Sequence, residues 1–415
     1  MNKILTSKHN IKIAYTYNPY VRSVCWGVFV DVGSRNETPE LNGISHMIEH
    51  MCFKGTSRRT ASQISKEMDN LGANFNADTG KELTAYYVQC IDDCIEPAVD
   101  ILSDVVLHHT FPLDEMEKEK QVVLEEIDMC ADTPDDVCLD LAALARWGED
   151  SLGYPILGSK QNVTRFTPDD LFAYERKHYV SGNVVLSVVG NIAEEVVLDL
   201  ADRYFAFPQG ESTRPKRVPT PQAGVQKGES KDVEQANVIV SFDGLPYGDE
   251  DSAALFVFDS VFGSSGSSVL FERLREQAGL AYSVYSYPTM YQGAGSYSIY
   301  IGTNPAKVDK ALKMIREIVD EVKDQGIGEE ELARGRQQTR SGYVLGVESG
   351  MAVMRGQARR LLHLGRVFDE DEEIAQLDRV SLQDVKRVIA RLFGVRPTVA
   401  VVAKRVDKDY NDYFA

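Results

Sequence analysis

The sequence lacks an excess of basic residues, because 45 lysines and arginines stand against 63 aspartates and glutamates and the net charge at pH 7 is −18. A nucleic-acid-binding protein needs a basic surface, so the charge argues against that class. The sequence also has no apolar segment long enough to span a bilayer, and its first residues lack the apolar run of a signal peptide. We therefore expect a cytoplasmic protein with no nucleic-acid or membrane partner.

Cysteine is also scarce, with six residues at positions 25, 52, 90, 94, 130 and 138. All six fall in the first half of the chain, and their spacing does not form a disulfide framework. Reduced thiols in the cytosol fit this pattern.

Only seven histidines occur in 415 residues, yet two of them lie in the pentapeptide His46-Met47-Ile48-Glu49-His50. On a helix, His46, Glu49 and His50 would share one face. Two neutral imidazoles four residues apart suit Zn²⁺, and a carboxylate between them that does not bind the metal can accept a proton from water. The alternative interpretation is a pair of surface or core histidines beside a glutamate.

A third metal ligand is required, and the stretch from Glu117 to Cys130 offers candidates. Read at helical period, Glu119 and Glu126 lie on one face with Val122 and Val123, whereas Glu125 lies well off it. A buried carboxylate costs several kcal/mol unless a cation or hydrogen-bond donors face it. A solvated face of a charged helix remains the alternative.

The motif His46-x-x-Glu49-His50, followed by Glu126 with Glu119 seven residues before it, resembles the pitrilysin or insulinase family of zinc metallopeptidases. Short bacterial members and the beta subunit of the mitochondrial processing peptidase share similar flanking segments, which here are Gly43-Ile44-Ser45, Phe53-Lys54-Gly55-Thr56 and Val123-Leu124-Glu125-Glu126-Ile127. The resemblance extends to both ends of the chain.

The resemblance implies one zinc ion per chain, held by His46, His50 and Glu126. It implies that Glu49 is the general base and that Glu119 orients a ligand histidine.

Chain length and internal similarity predict two domains. A chain of 415 residues exceeds what one core usually supports. At an offset of 214 residues, Val24-Cys25-Trp26 aligns with Val238-Ile239-Val240, and Val185 through Val189 aligns with Val399 through Ala403. We therefore predict an α+β fold made of two homologous α/β-sandwich-like domains, each with a mixed sheet packed against helices, related by internal duplication.

Residues rich in proline and glycine divide the chain near its middle and read as a linker. The predicted divisions are a catalytic zinc-binding domain at 1–207, a linker at 208–229 and a homologous domain without metal at 230–415. The offset of 214 carries His46, Glu49 and His50 onto Ser260, Gly263 and Ser264. The second domain is therefore expected to bind substrate and to form the dimer interface.

Periodicity predicts the elements of the first domain in outline. A hairpin over 3–17 and a buried strand over 23–30 precede the motif helix, and a second hairpin follows Gly72. Helices are expected near 92–109, 114–131, 136–147, 167–178 and 193–204, with a strand over 184–189 between the last two.

Four further residues are assigned to substrate binding. Arg275 and Tyr282 lie seven residues apart, and a cation with a phenol can polarise a peptide carbonyl. The alternative is a surface arginine and a core tyrosine, but the segment looks like an arginine and tyrosine pair of the family. Asn76 and Ala77 match the family's edge strand, where an extended peptide adds in β fashion, although an ordinary hairpin is equally open.

Long members of the family close four such domains over the peptide, and this chain supplies two. The resemblance therefore implies a homodimer in which Arg275 and Tyr282 of one subunit complete the zinc site of the other. The predicted function is a zinc-dependent endopeptidase that cleaves peptides or unfolded presequence-like segments in a dimeric chamber. The alternatives are a non-catalytic partner subunit of a processing-peptidase-like complex and a metal-dependent amidase or esterase.

Overall fold

We analysed a computed structural model that describes residues 2–215 and 217–415. The first residue of the predicted domain 1–207 and position 216 of the predicted linker 208–229 lie outside the described residues. The strands are β1 (Asn2–Thr6), β2 (Lys12–Tyr17), β3 (Ser23–Val30), β4 (Asn74–Thr79), β5 (Thr84–Ile91), β6 (Val184–Gly190), β7 (Gln226–Ser230), β8 (Ala236–Asp243), β9 (Ser283–Tyr291), β10 (Ala294–Thr303) and β11 (Thr398–Ala403).

The helices are α1 (Ile44–Cys52), α2 (Ala61–Asn70), α3 (Ile95–Leu107), α4 (Leu113–Asp132), α5 (Pro134–Trp147), α6 (Lys160–Arg165), α7 (Pro168–His178), α8 (Glu194–Tyr204), α9 (Ser252–Asp259), α10 (Val308–Gln325), α11 (Glu329–Gly346), α12 (Gly350–Leu364), α13 (Glu370–Arg379) and α14 (Leu382–Leu392). The predicted hairpins, strands and helices of the first half all form, with ends that differ by a few residues. No helix in the described part of the chain is both long enough and apolar enough to cross a membrane.

The chain forms two compact units, and each contains one sheet. Unit 1 comprises Met1–Ile127, Pro155–Lys216 and Leu345–Asp369, and unit 2 comprises Asp128–Tyr154, Arg217–Val344 and Glu370–Ala415.

The sheet of unit 1 has six strands in the order β1-β2-β6-β3-β5-β4. Strand β2 is parallel to β6, and the other neighbours are antiparallel. The central strand β3 is buried from Val24 to Val30, because helices cover both faces of the sheet. Val24, Trp26 and Val28 face a core that also contains residues of α1, α3 and α8.

Helix α12 covers the other face of this sheet. Met354 of α12 is fully buried, and its sulfur lies against Gly27 of β3. An apolar second face must be covered by another element, and a segment from the second half of the sequence covers this one.

The sheet of unit 2 has five strands in the order β7-β11-β8-β10-β9. Val238 and Val240 of β8 face a core shared with α9, α10 and α14. Ile239 faces the opposite side, where it packs with Cys138 and Ala142 of α5. Unit 2 thus covers its second face with a helix from the first half of the sequence.

The two sheets have the same connectivity once the additional strand β1 is set aside. Strands β2, β6, β3, β5 and β4 correspond in order and relative direction to β7, β11, β8, β10 and β9. The predicted fold class, two homologous domains with mixed sheets packed against helices, is confirmed.

The units differ from two consecutive domains at 1–207 and 230–415. They exchange the segments that contain α5 and α12, each of which covers the apolar face of a sheet built mainly from the other half of the sequence. Part of the predicted linker 208–229 also enters a sheet, since β7 pairs in parallel with β11.

Candidate metal centre

The residues before Ile44 determine where the motif helix α1 begins. Gly43 precedes the helix with a φ of 99°, in the left-handed region that favours glycine, and an added Cβ there would lie 2.7 Å from the carbonyl oxygen of Leu157. The buried Glu37 carboxylate accepts hydrogen bonds from the backbone N–H groups of Gly43 at 2.8 Å and Ser45 at 2.9 Å. Glu37 therefore caps the helix and sets its direction.

One face of α1 is apolar, and its burial fixes the rotation of the helix about its axis. Met47, Ile48 and Met51 are fully buried in the core of unit 1. Because side chains three and four residues apart share a face, the buried stripe turns His46 and His50 together toward α4.

Three predicted ligands converge at this point. The Nε2 atoms of His46 and His50 lie 3.6 Å and 3.7 Å from Oε2 of Glu126 on α4. One ligand atom from each of the three residues lies within 4.8 Å of the other two. Helices α1 and α4 thus bring Glu126 together with His50 and His46, which lie 76 and 80 positions earlier in the sequence.

The electrostatics of these groups suit a cation. Burial, reinforced by the charge of His50, lowers the pKa of His46 to about 3, so its imidazole is neutral at neutral pH. Oε2 of Glu126 is buried and has no hydrogen-bond partner among the described residues. A neutral imidazole and a carboxylate oxygen that has no donor among the described residues suit a zinc ion, and the residues present fit one.

Glu119 lies behind His50, where it contacts the ring nitrogen that faces away from Glu126. Its Oε1 is 2.8 Å from Nδ1 of His50, which leaves Nε2 free to face Glu126. Burial opposes ionisation of Glu119, but hydrogen bonds from His50 and Lys54 and their charges bring its pKa below the usual value. The ammonium of Lys54 donates to Oε2 of Glu119 at 2.6 Å. The pair orients His50, and sequence reasoning assigned no role to Lys54.

Glu49 lies one turn before the end of α1, beside the two histidines. Its carboxylate accepts a hydrogen bond of 2.5 Å from the hydroxyl of Thr79, the last residue of β4. Burial raises the pKa of Glu49, and the hydrogen bond from Thr79 and the charge of His50 oppose this rise. A raised pKa suits a group that takes up and releases a proton near neutral pH. Sequence reasoning did not find Thr79.

The predicted substrate strand is an edge strand. Asn76 and Ala77 lie in β4, which pairs only with β5 among the described strands. The Asn76 side chain is exposed. Arg355 of α12 lies over the ring of Tyr87 at 4.8 Å and forms an ion pair with Asp78 of β4. The outer edge of β4 can therefore accept another strand while α12 holds the strand in place.

Arg275 and Tyr282 belong to unit 2. The Arg275 guanidinium lies 4.7 Å from the ring centre of Phe271, and Tyr282 is 64% exposed. The alternative of a core tyrosine is therefore wrong. Both side chains are on the surface of the described chain.

Unit 2 has no metal group at the positions equivalent to the motif. Ser260, Gly263 and Ser264 occupy a π-helical segment that continues α9. Within residues 2–215 and 217–415, His46, His50 and Glu126 form the one group of three residues able to hold a metal.

Two family models match successive parts of the chain. The model described as insulinase (peptidase family M16) matches residues 12–160, and the model described as peptidase M16 inactive domain matches residues 165–339. The second match falls on the part of the chain without the His-x-x-Glu-His motif.

Curated relatives match over nearly the whole chain. An uncharacterized zinc protease of Bacillus subtilis, YmxG, is 38% identical over 405 residues and covers 97% of this chain and 98% of its own length. An uncharacterized zinc protease of Rickettsia felis is 34% identical over 390 residues, with 93% of this chain and 94% of its own length covered.

Solved structures share the fold. A structure described as the peptidase M16 inactive domain from Pseudomonas fluorescens gives a TM-score of 0.91 at 19% identity and covers 98% of this chain and 99% of its own. A protease from Helicobacter pylori gives a TM-score of 0.87 at 22% identity and covers 97% of this chain and 99% of its own.

Proposed function

Because the chain belongs to the insulinase family of peptidases, family M16, we propose that it is a zinc-dependent endopeptidase with Glu49 as its general base. The observation that carries the proposal is the convergence of His46, His50 and Glu126, with the Glu49 carboxylate beside them. Unit 1 holds every residue assigned to the metal and to proton transfer.

The chain's own groups divide the chemistry among them. A zinc ion held by His46, His50 and Glu126 would act as a Lewis acid that lowers the pKa of water and polarises the peptide carbonyl. Glu49 accepts the proton of the attacking water and returns it to the leaving amine. Its carboxylate lies beside the ligands without joining them, and unlike Glu119 it is not bonded to His50. Glu119 and Lys54 keep His50 in the orientation that presents Nε2.

Substrate binding is assigned to the edge of β4. An extended peptide that pairs with Asn76 and Ala77 is recognised through its main chain, which gives affinity without demanding a particular sequence. The same strand ends at Thr79, which contacts Glu49. A peptide on this edge is therefore aligned with the end of the strand that reaches the general base.

The proposed enzyme is a homodimer in which unit 2 of one subunit contributes to the zinc site of the other. Arg275 and Tyr282 are exposed on unit 2 and are available to another subunit. In the proposed dimer they reach the zinc site of the partner and help to polarise the carbonyl that is attacked.

One assay separates the proposed function from its alternatives. Purified protein is incubated with an internally quenched peptide, a chromogenic ester and a small amide, before and after chelation and again after zinc is restored. We expect peptide cleavage that chelation abolishes and zinc restores. Hydrolysis of the ester or amide alone supports a small-molecule hydrolase, and a zinc-loaded dimer without hydrolysis supports a non-catalytic subunit.

A further inference from the structure

We propose that Thr79 is a positioning residue for the general base and that its hydroxyl couples the edge strand β4 to Glu49. The inference rests on the proposed function for the role of Glu49. The hydrogen bond between Thr79 and Glu49 lies within unit 1 and can be examined independently of that function.

The geometry of the contact is specific. The Thr79 hydroxyl donates to Oε2 of Glu49 at 2.5 Å, in the range of hydrogen bonds from a hydroxyl to a carboxylate. No other hydrogen bond to the Glu49 side chain occurs among residues 2–215 and 217–415. One carboxylate oxygen is thus held, and Oε1 is left for the reacting water. A glutamate side chain has several rotatable bonds, so holding one oxygen restricts where the other can lie.

Thr79 is a rigid donor. It is β-branched, which restricts its χ1 rotation, and it lies in the ladder opposite Thr84 of β5. Thr84 is fully buried and donates its own hydroxyl to the carbonyl oxygen of Val32 at 2.9 Å. The position of the Thr79 hydroxyl is therefore set by the sheet.

The turn after Thr79 is anchored as well. Gly80 N–H donates to the carbonyl oxygen of Leu83 at 2.8 Å and closes the hairpin. Backbone N–H groups of Ser34 and Arg35 donate to the carbonyl oxygens of Gly80 and Lys81 at 3.3 Å and 2.8 Å. This turn therefore cannot move without breaking contacts to the segment that follows β3.

The anchored turn fixes the strand that is assigned to substrate pairing and that also contacts Glu49. Asn76 and Ala77, the residues assigned to substrate pairing, precede Thr79 by three and two positions in the same strand. One rigid strand therefore positions both the bound peptide, through the edge of β4, and the Glu49 carboxylate that accepts the proton of the attacking water, through Thr79. Enzymes gain rate from such fixed placement of reacting groups.

The test compares Thr79→Val with Thr79→Ser. Valine keeps the branching, the volume and the strand preference of threonine but removes the donor, and serine keeps the donor. In the zinc-loaded homodimer we expect Thr79→Val to lower kcat about 10- to 100-fold, because a hydrogen bond to a charged group is lost. KM and zinc content stay at the parental values. Thr79→Ser keeps kcat within about threefold of the parent, since only χ1 restriction is lost.

A second measurement does not depend on activity. Crystal structures of the metal-free parent and of both variants are compared at Glu49. We expect a single ordered Glu49 conformer bonded to residue 79 in the parent and in Thr79→Ser. In Thr79→Val we expect the carboxylate to turn away or to occupy more than one conformer.

Three results would overturn the role of Thr79: parental kcat in Thr79→Val, an equal loss in both variants, or an unchanged Glu49 conformer in Thr79→Val. Loss of zinc from Thr79→Val would also overturn it, because the residue would then support the metal ligands. If the zinc-loaded parent cleaves no peptide, the proposed function fails, and the crystal structures still decide whether Thr79 holds Glu49.

Discussion

Units 1 and 2 share one connectivity, but they differ in whether a buried carboxylate oxygen receives hydrogen bonds. In unit 2, Asp259 at the end of α9 accepts hydrogen bonds from the hydroxyls of Ser286 at 2.5 Å and Tyr297 at 2.9 Å. In unit 1, Oε2 of Glu126 is buried, finds no donor in the described part of the chain and faces two imidazole nitrogens. Hydroxyl donors satisfy the first carboxylate, whereas the second is placed to bind a cation.

The contrast shows that this fold does not by itself produce a metal site. Both units bury a sheet between layers of helices, and both place a helix after the strands β3 and β8. Among the described residues, only the helix of unit 1 carries candidate metal ligands, while unit 2 has Ser260, Gly263 and Ser264 in the π-helical continuation of its helix. Packing preserves the architecture, and a few side chains decide the chemistry.

The largest expected effect tests the division of roles within unit 1. Glu49→Gln removes the base while keeping the shape of the side chain, so kcat should fall by about 10²- to 10⁴-fold. Zinc content should stay at the parental value, because Glu49 does not converge with the ligands. Peptidase rates and metal analysis on the same sample check both expectations. Parental turnover in this variant would contradict the mechanism.

The next effect tests the unsatisfied carboxylate directly. Glu126→Gln replaces an anionic ligand by a neutral one, and zinc should bind more weakly by a factor larger than the roughly 10- to 100-fold typical of outer partners. Glu125→Gln is the matched control, since Glu125 is exposed and adjacent in the same helix. Competition titration with a chromophoric chelator measures both affinities. Equal weakening in the two variants would remove Glu126 from the ligand set.

A third prediction asks whether unit 2 serves the metal centre of another subunit. Glu49→Gln and Tyr282→Phe chains, mixed after dissociation, should recover about a quarter of parental activity, because half of the dimers then hold one intact site of two. The control mixes Glu49→Gln with Glu126→Gln, where both defects lie in unit 1 and no site is intact. Mass measurement confirms mixing. Well-mixed dimers without recovery would argue against completion in trans.

A fourth prediction concerns the support of a ligand by Lys54. Lys54→Met removes the ammonium that donates to Glu119, so His50 loses part of its orienting force. Zinc affinity should fall by about 10-fold, with kcat of the fully loaded enzyme nearly unchanged. A chelator titration and a zinc-saturated assay separate the two quantities. A large loss of kcat at full zinc occupancy would assign Lys54 a different role.

Two parts of the candidate metal centre carry a local signal in the sequence, whereas the choice of Glu126 as the third ligand came from the resemblance to the family. His46, Glu49 and His50 lie within one helical turn and a half, and Glu119 and Glu126 share a helix face at fixed spacing. The repeat at an offset of 214 likewise predicted the shared fold, because both halves have the apolar strand pattern although only the first half has the His-x-x-Glu-His motif.

The contacts that sequence reasoning missed are nonlocal or weakly marked. Thr79 reaches Glu49 only because β4 packs beside α1, and a single threonine at a strand end carries no pattern. The exchange of α5 and α12 leaves no signal either, since an amphipathic helix shows that a face is buried but not against which sheet.

The smallest expected effect concerns His178, a titratable residue at a position where unit 2 has an apolar one. Helices α7 and α14 end at His178 and Leu392, which are 214 residues apart and both buried. Burial, with the charge of Lys177, lowers the pKa of His178 to about 4. Its Nε2 has no hydrogen-bond partner among the described residues, so a proton added there would be unpaired.

The lowered pKa of His178 makes the folded protein less stable at acidic pH. The folded pKa lies below the unfolded value, so His178 contributes stability that is complete above about pH 6.5 and is lost as the pH falls toward 4. We expect His178→Leu, which installs the residue of unit 2, to reduce the loss of unfolding free energy between pH 7 and pH 5 by about 1 kcal/mol. Denaturant titrations of metal-free parent and variant at both values measure it. At pH 7 the variant loses the contact of Nδ1 with the Thr213 hydroxyl at 2.7 Å, so only the difference between the two pH values is diagnostic. An unchanged difference would show that this histidine titrates normally and that the two units do not differ in acid sensitivity at this position.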